Sequence, residues 1–135
     1  NVNGFVVWIS LPIVITIGLI NMANNIRDRV KDKASGRKTL SILLGKKASI
    51  TFMAAMYILA YLIVIFTALF KSGGSLFYLL VLFSFPMPIK AIRRFNKNDT
   101  PASMMPAMAA TGKTNTVFGI LYALGIYISA LLGGI

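Results

Sequence analysis

The sequence predicts an all-α protein, a polytopic bundle of about four transmembrane helices, and three observations carry that prediction. Of the 135 residues, 57% are hydrophobic and 13% charged, and the mean hydropathy is +0.78. That is more apolar surface than a water-soluble domain of this size can bury. The apolar residues gather into four runs, three of them close to the length that crosses a hydrocarbon core about 30 Å thick. Thirteen of the fourteen Lys and Arg fall between those runs, in segments 27–47 and 90–113.

The first run, 5–20, reaches spanning length with Met22 and Ala23. Trp8 suits its outer interface, and Pro12 is expected to bend or loosen the helix, which membrane helices tolerate. Asn21, Asn24 and Asn25 interrupt the apolar pattern just before the first charges. The basic segment that follows contains a break at Ser35-Gly36 and a short helical or extended piece, 39–44, ending at Gly45. Residues 50–70 form the second span, closed by the turn at 71–75. The third, 76–89, is short and ends at Pro86-Met87-Pro88, with an amphipathic extension through Ala91, Ile92 and Phe95. In the second basic segment Asp99 or Thr100 is expected to cap a helix with Pro101 in its first turn. The last span is expected from about residue 115 to 132, ending in Gly133-Gly134.

Charge sets the expected topology. Both termini outside and both basic loops, about 27–49 and 90–114, on the cytoplasmic side satisfy the positive-inside bias. That bias accounts for a net charge of +11 without a nucleic-acid partner, and a multi-pass protein of the cell membrane is the expectation. With neither Cys nor His in the chain, thiolate and imidazole chemistry are excluded, leaving carboxylates, Lys, Arg, Tyr and hydroxyls. Starting at Asn1, without an initiator Met or a basic stretch ahead of its apolar run, the chain reads as a piece of something longer.

The most informative stretch is Asn24-Asn25-Ile26-Arg27-Asp28-Arg29-Val30-Lys31-Asp32. Asp28 and Asp32 are two of only three acidic residues, and a spacing of four places both carboxylates on one face of a helix. Asn24 extends that face by one turn. On spacing alone two readings stand: a seat for a divalent cation and an anionic ligand, or a charged helix end in which each Asp pairs with a nearby Lys or Arg. Elsewhere, Met53, Tyr57 and Tyr61 form an i, i+4, i+8 row on the second span, read as packing or as an aromatic cavity wall. Gly112-Lys113-Thr114 mimics the end of a phosphate-binding loop, but Ala107 stands where the first glycine is required and no strand precedes it.

The stretch 24–32, followed by Gly36-Arg37-Lys38-Thr39-Leu40 and Leu44-Gly45, closely resembles the second aspartate-rich motif and following loop of the UbiA superfamily of membrane prenyltransferases. Asp99-Thr100-Pro101, Met105-Pro106 and the stretch from Gly119-Ile120-Leu121-Tyr122 to Gly125-Ile126 extend the likeness over nearly the whole chain. The resemblance is greatest to the menaquinone-pathway branch, which prenylates 1,4-dihydroxy-2-naphthoate. It implies nine helices around a cavity open to the cytoplasmic side and to lipid, with Mg²⁺ held between two aspartate-rich motifs. A polyprenyl group passes there from an allylic polyprenyl diphosphate to an aromatic acceptor.

This chain carries only the second motif and corresponds to the C-terminal half, so a missing N-terminal half of the same protein is an implied partner and the fragment alone is expected to be inactive. The resemblance assigns Asp28 and Asp32 as catalytic residues and, with Asn24, as metal ligands. Lys31, Arg37, Lys38 and Arg27 become candidates for the diphosphate, Arg27 alternatively orienting the carboxylates, with Asn24 and Asn25 in support. Arg93 or Lys90 would meet the acceptor's carboxylate, or else anchor the chain to anionic membrane lipid. The competing readings are another acceptor on the same fold and a non-catalytic membrane module that binds anionic lipid.

Overall fold

The computed structural model describes residues 3–71 and 73–132; Gly133-Gly134 and Ser72 of the 71–75 turn lie outside them. Four α-helices and one 3-10 helix make up the fold: α1 Gly4–Ala34, α2 Leu40–Phe70, the 3-10 helix Leu76–Ser84, α3 Pro86–Lys97 and α4 Met105–Leu131. There is no strand among the described residues. Four segments, Gly4–Ala34, Lys46–Phe70, Leu76–Lys97 and Met105–Leu131, are long and apolar enough to cross a membrane. They form a four-sided bundle in which α1 packs on α2 and α4, while the 3-10 helix and α3 form the fourth side against α2 and α4.

The expected loops are largely helical. Helix α1 runs through the charged stretch to Ala34, because no Pro follows Pro12 within it and no Gly lies between Gly18 and Gly36. At about 1.5 Å per residue its 31 residues measure roughly 46 Å, well beyond a hydrocarbon core of about 30 Å. The polar end therefore projects from the apolar layer. Only 35–39 separate α1 from α2, which Thr39 caps by accepting from the Ile42 amide. The piece 40–44 is helical, and the chain kinks at Gly45 (φ 79°) before continuing to Phe70. The helix expected after Pro101 and the span expected from about 115 are one helix, α4, which begins at Met105, where Pro106 fits a first helical turn. Thr100 caps the turn ahead of it: its hydroxyl accepts from the Ser103 amide while Ser103 Oγ accepts from the Thr100 amide.

The third span is short in residues but not in length. Nine residues, 76–84, are wound as a 3-10 helix, and at about 2.0 Å per residue they rise some 18 Å, to which the twelve of α3 add a similar distance. A proline fits the way this segment ends. Pro86 has no amide hydrogen to offer Leu82, four residues earlier, and the Leu82 carbonyl is instead satisfied by the Phe85 amide in 3-10 register. The segment also lies close to α4, since a Cβ on Gly125 there would stand 2.3 Å from the Phe77 carbonyl oxygen.

Two apolar clusters fill the bundle. Near the 98–104 connector Leu19, Met22, Ile26, Met53, Tyr57 and Phe95 meet; farther along, Tyr61, Val64, Tyr78, Val81, Phe118 and Tyr122 do. Met53, Tyr57 and Tyr61 are all buried in the core, with Tyr61 hydrogen-bonded to Ser84 at 2.7 Å, and Tyr61 and Tyr57 also edge two largely apolar cavities. Gly112-Lys113-Thr114 lies inside α4 as ordinary helix.

Candidate functional site

At 100° per residue, Asn21, Asn25, Asp28 and Asp32 fall within an arc of roughly 60° on α1. Of the positions that α1 buries, Pro12, Thr16, Leu19, Met22, Ala23 and Ile26 lie on the opposite side, while Asp32, on the stripe, is buried at the helix end. The carboxylate stripe therefore faces away from the core of this four-helix unit. Asn21 is exposed, and Asn24, Asn25 and Asp28 are half-buried. Alongside the stripe runs a mostly apolar groove of about 410 Å³ between α1 and α2, with Gly18, Asn21 and Asn25 on one wall and Leu40, Phe52 and Met56 on the other. It reaches Asn25, one turn from Asp28.

Each carboxylate has its own arginine. Arg27 donates to Asp28 through Nε at 2.8 Å and Nη2 at 2.6 Å, a bidentate fork that fixes the plane of the acceptor. Both Asp28 oxygens accept from it. Asp32 accepts from Arg37 Nη1 at 3.3 Å; its side chain is only 10% exposed, against 71% for Arg37. The ion pairs of the plainer reading of this stretch are therefore present, on the same two carboxylates that the metal reading needs.

The Arg37 contact follows from how α1 ends. The Gly36 amide donates to the Lys33 carbonyl at 3.1 Å and the Arg37 amide to the Asp32 carbonyl at 2.9 Å, the paired bonds of a Schellman stop. That stop needs a left-handed residue, which Gly36 supplies at φ 74°. Arg37 is thereby folded back over Asp32. The signal was in the sequence, a Gly two residues past the last helical position, but the ion pair it creates emerges only once the turn is built.

Lys31, Lys33 and Lys38 are exposed around the pair, so the end of α1 presents an array of cations with two carboxylates set into it. Hard oxygen donors of this kind suit Mg²⁺, which takes one or two carboxylates together with phosphate oxygens and water. Among the described residues no third acidic side chain joins them. The third acid of the chain, Asp99, is held by Lys46, whose Nζ also donates to the Asn98 carbonyl at 2.6 Å. That tie clips the start of α2 after its kink to the 98–104 connector.

Among known proteins, the chain is similar to a 1,4-dihydroxy-2-naphthoate octaprenyltransferase of Bacillus subtilis (strain 168), 43% identical over 130 residues that cover 96% of this chain and 41% of that protein. It is also similar to a UbiA prenyltransferase domain-containing protein 1 homolog of Drosophila melanogaster, 33% identical over 84% of this chain and 30% of that one. A third relative is the 1,4-dihydroxy-2-naphthoate octaprenyltransferase of Escherichia coli (strain K12), 29% identical over 78% of this chain and 34% of that one. The chain thus spans less than half the length of each of these relatives. No solved structure matches it significantly. The description "UbiA prenyltransferase family" matches residues 1–117, through α1, α2 and α3 and into α4, and the chain belongs to that family.

Proposed function

We propose that the protein carrying this chain transfers a polyprenyl group from an allylic polyprenyl diphosphate to 1,4-dihydroxy-2-naphthoate, with Mg²⁺ as cofactor. The observation that carries this reading is the stripe of Asp28 and Asp32, each held by its own arginine, in a chain 43% identical to an enzyme with that acceptor in its name. In the transfer the allylic C–O bond breaks with its electron pair leaving on diphosphate. A ring carbon of the acceptor then bonds to the allylic carbon, and the acceptor's carboxylate departs as carbon dioxide.

Asp28 and Asp32 would hold the Mg²⁺, with Asn24 and Asn25 in support. The metal, when bound, supplies positive charge to the leaving diphosphate. Arg27 keeps Asp28 oriented, and Arg37 does the same for Asp32 from the Schellman turn. Lys31 and Lys38 offer exposed ammonium groups to the diphosphate, and Arg37 has further donors for it. Asn21 and Asn25 begin this polar face at the membrane edge of α1, with Asp28 and Asp32 just beyond it, and polar groups at that edge are covered by protein or line a cavity. The greater length of the relatives supports an N-terminal half that covers it and brings the other aspartate-rich motif. The basic ends of the helices then lie on the cytoplasmic side of the cell membrane.

The test is Asp28→Asn in the full-length protein, assayed with prenyl diphosphate and either 1,4-dihydroxy-2-naphthoate or 4-hydroxybenzoate. Loss of about 100- to 1,000-fold in kcat is expected with the naphthoate, together with Mg²⁺ dependence in the parent enzyme. Unchanged, Mg²⁺-dependent turnover by the variant would remove Asp28 from the site, and preference for the benzoate would replace the acceptor.

A further inference from the structure

A second cluster of charge, on the flank between α3 and α4, has a different character. Lys90 and Arg94, four residues apart on α3, and Lys113 on α4 surround a pocket of about 240 Å³ whose remaining walls are Met87, Ala109 and Ala110. Helices α3 and α4 are antiparallel across the 98–104 connector, and Lys90 and Lys113 lie seven and eight residues from Lys97 and Met105. All three cations are consequently within about 12 Å of the same helix ends. One guanidinium nitrogen of Arg94 donates to the Pro106 carbonyl at 3.0 Å. This anchors the group at the pocket wall with other donors unspent.

No carboxylate of this chain can neutralise the cluster. The sequence has three acidic residues, and all three are paired elsewhere, with Arg27, Arg37 and Lys46. Three like charges around one small pocket repel one another unless an anion joins them. Small side chains on α4 leave room for it, and Met87 gives the pocket an apolar edge. At the boundary of an apolar bundle the anion present at high local concentration is the phosphate of a lipid headgroup, and basic pockets between membrane helices are suited to it. We infer that Lys90, Arg94 and Lys113 form a binding site for the phosphate of an anionic phospholipid. The site is distinct from the carboxylate stripe, which belongs to α1 and faces away from the bundle. It does not depend on the identity of the acceptor.

Native mass spectrometry of the full-length protein, titrated with phosphatidylglycerol and with phosphatidylcholine, tests it. The variant Lys90→Gln/Lys113→Gln removes two exposed ammonium groups and leaves the Arg94 anchor in place. Its charge-matched control is Lys47→Gln/Lys97→Gln, two exposed lysines away from the pocket. The expected result is a preference for phosphatidylglycerol that falls roughly 10- to 30-fold in the pocket variant and no more than about twofold in the control. Equal losses in both variants would reduce the effect to diffuse charge and overturn the site. Displacement of the lipid by millimolar inorganic phosphate would assign the pocket to a soluble anion, and displacement by 1,4-dihydroxy-2-naphthoate would assign it to the acceptor; either overturns the lipid assignment.

Discussion

The two basic regions at one end of this bundle look alike in composition and differ in what they do with their charge. Around α1 the cations are interleaved with acids, and a bidentate arginine and a folded-back arginine hold Asp28 and Asp32 in fixed positions. On the α3–α4 flank Lys90, Arg94 and Lys113 converge with no acid among them. The first arrangement suits a metal and a diphosphate together, because carboxylates recruit the cation while lysines and arginine meet the anion. The second suits an anion alone. Net charge, which is positive in both places, does not distinguish them; the placement of three carboxylates does.

The difference can be broken in either region. Asp32→Asn should have the largest effect, a fall in kcat on the order of 100-fold or more, because it removes one of two carboxylates and leaves Arg37 without its partner. The Lys113→Gln variant should keep transfer within about twofold in the same assay, and a comparable fall there would merge the two clusters into one site. Gly36→Ala sharpens the comparison at the turn. An alanine in the left-handed region costs about 1–2 kcal/mol, so the stop that folds Arg37 over Asp32 should loosen. Transfer should drop roughly tenfold, and a rate equal to the parent's would show that Arg37 needs no such placement. The smallest effect is expected from Tyr61→Phe, which removes the bond to Ser84. Thermal unfolding in detergent should register about 1 kcal/mol with activity retained, giving the baseline for a purely structural loss.

Much of this organisation was legible in the residues. The stripe of Asp28 and Asp32 could be read from a spacing of four at the foot of an apolar run, and the amphipathic continuation past Pro88 from Ala91, Ile92 and Phe95 set among cations. Other features depended on information that local pattern does not carry. Whether the stripe faced into the bundle or away from it required knowing which side of α1 meets α2 and α4. Arg37 lies five residues beyond Asp32, farther than any pairing on one regular helix would suggest, and the Gly36 turn closes that gap. That the helix after Pro101 and the last span are one continuous α4 is hidden by Lys113 and the polar residues near it, which read as a membrane boundary between them. The third run is short in residues, and nothing in its apolar pattern signals the 3-10 winding that lengthens it to about 2.0 Å per residue.

That 3-10 winding has a consequence for how the family could vary its thickness. With three residues per turn, side chains three apart stand in a straight file, and Tyr78, Val81 and Ser84, all buried, form such a file against the rest of the bundle. Deleting one turn of three residues would shorten this span by about 6 Å without rotating the remaining side chains away from their neighbours. The same deletion in α4 would turn everything beyond it by roughly 60° and displace Phe118 and Tyr122 from the core. The 3-10 segment is accordingly the place where a relative suited to a thinner bilayer could lose length while keeping its packing.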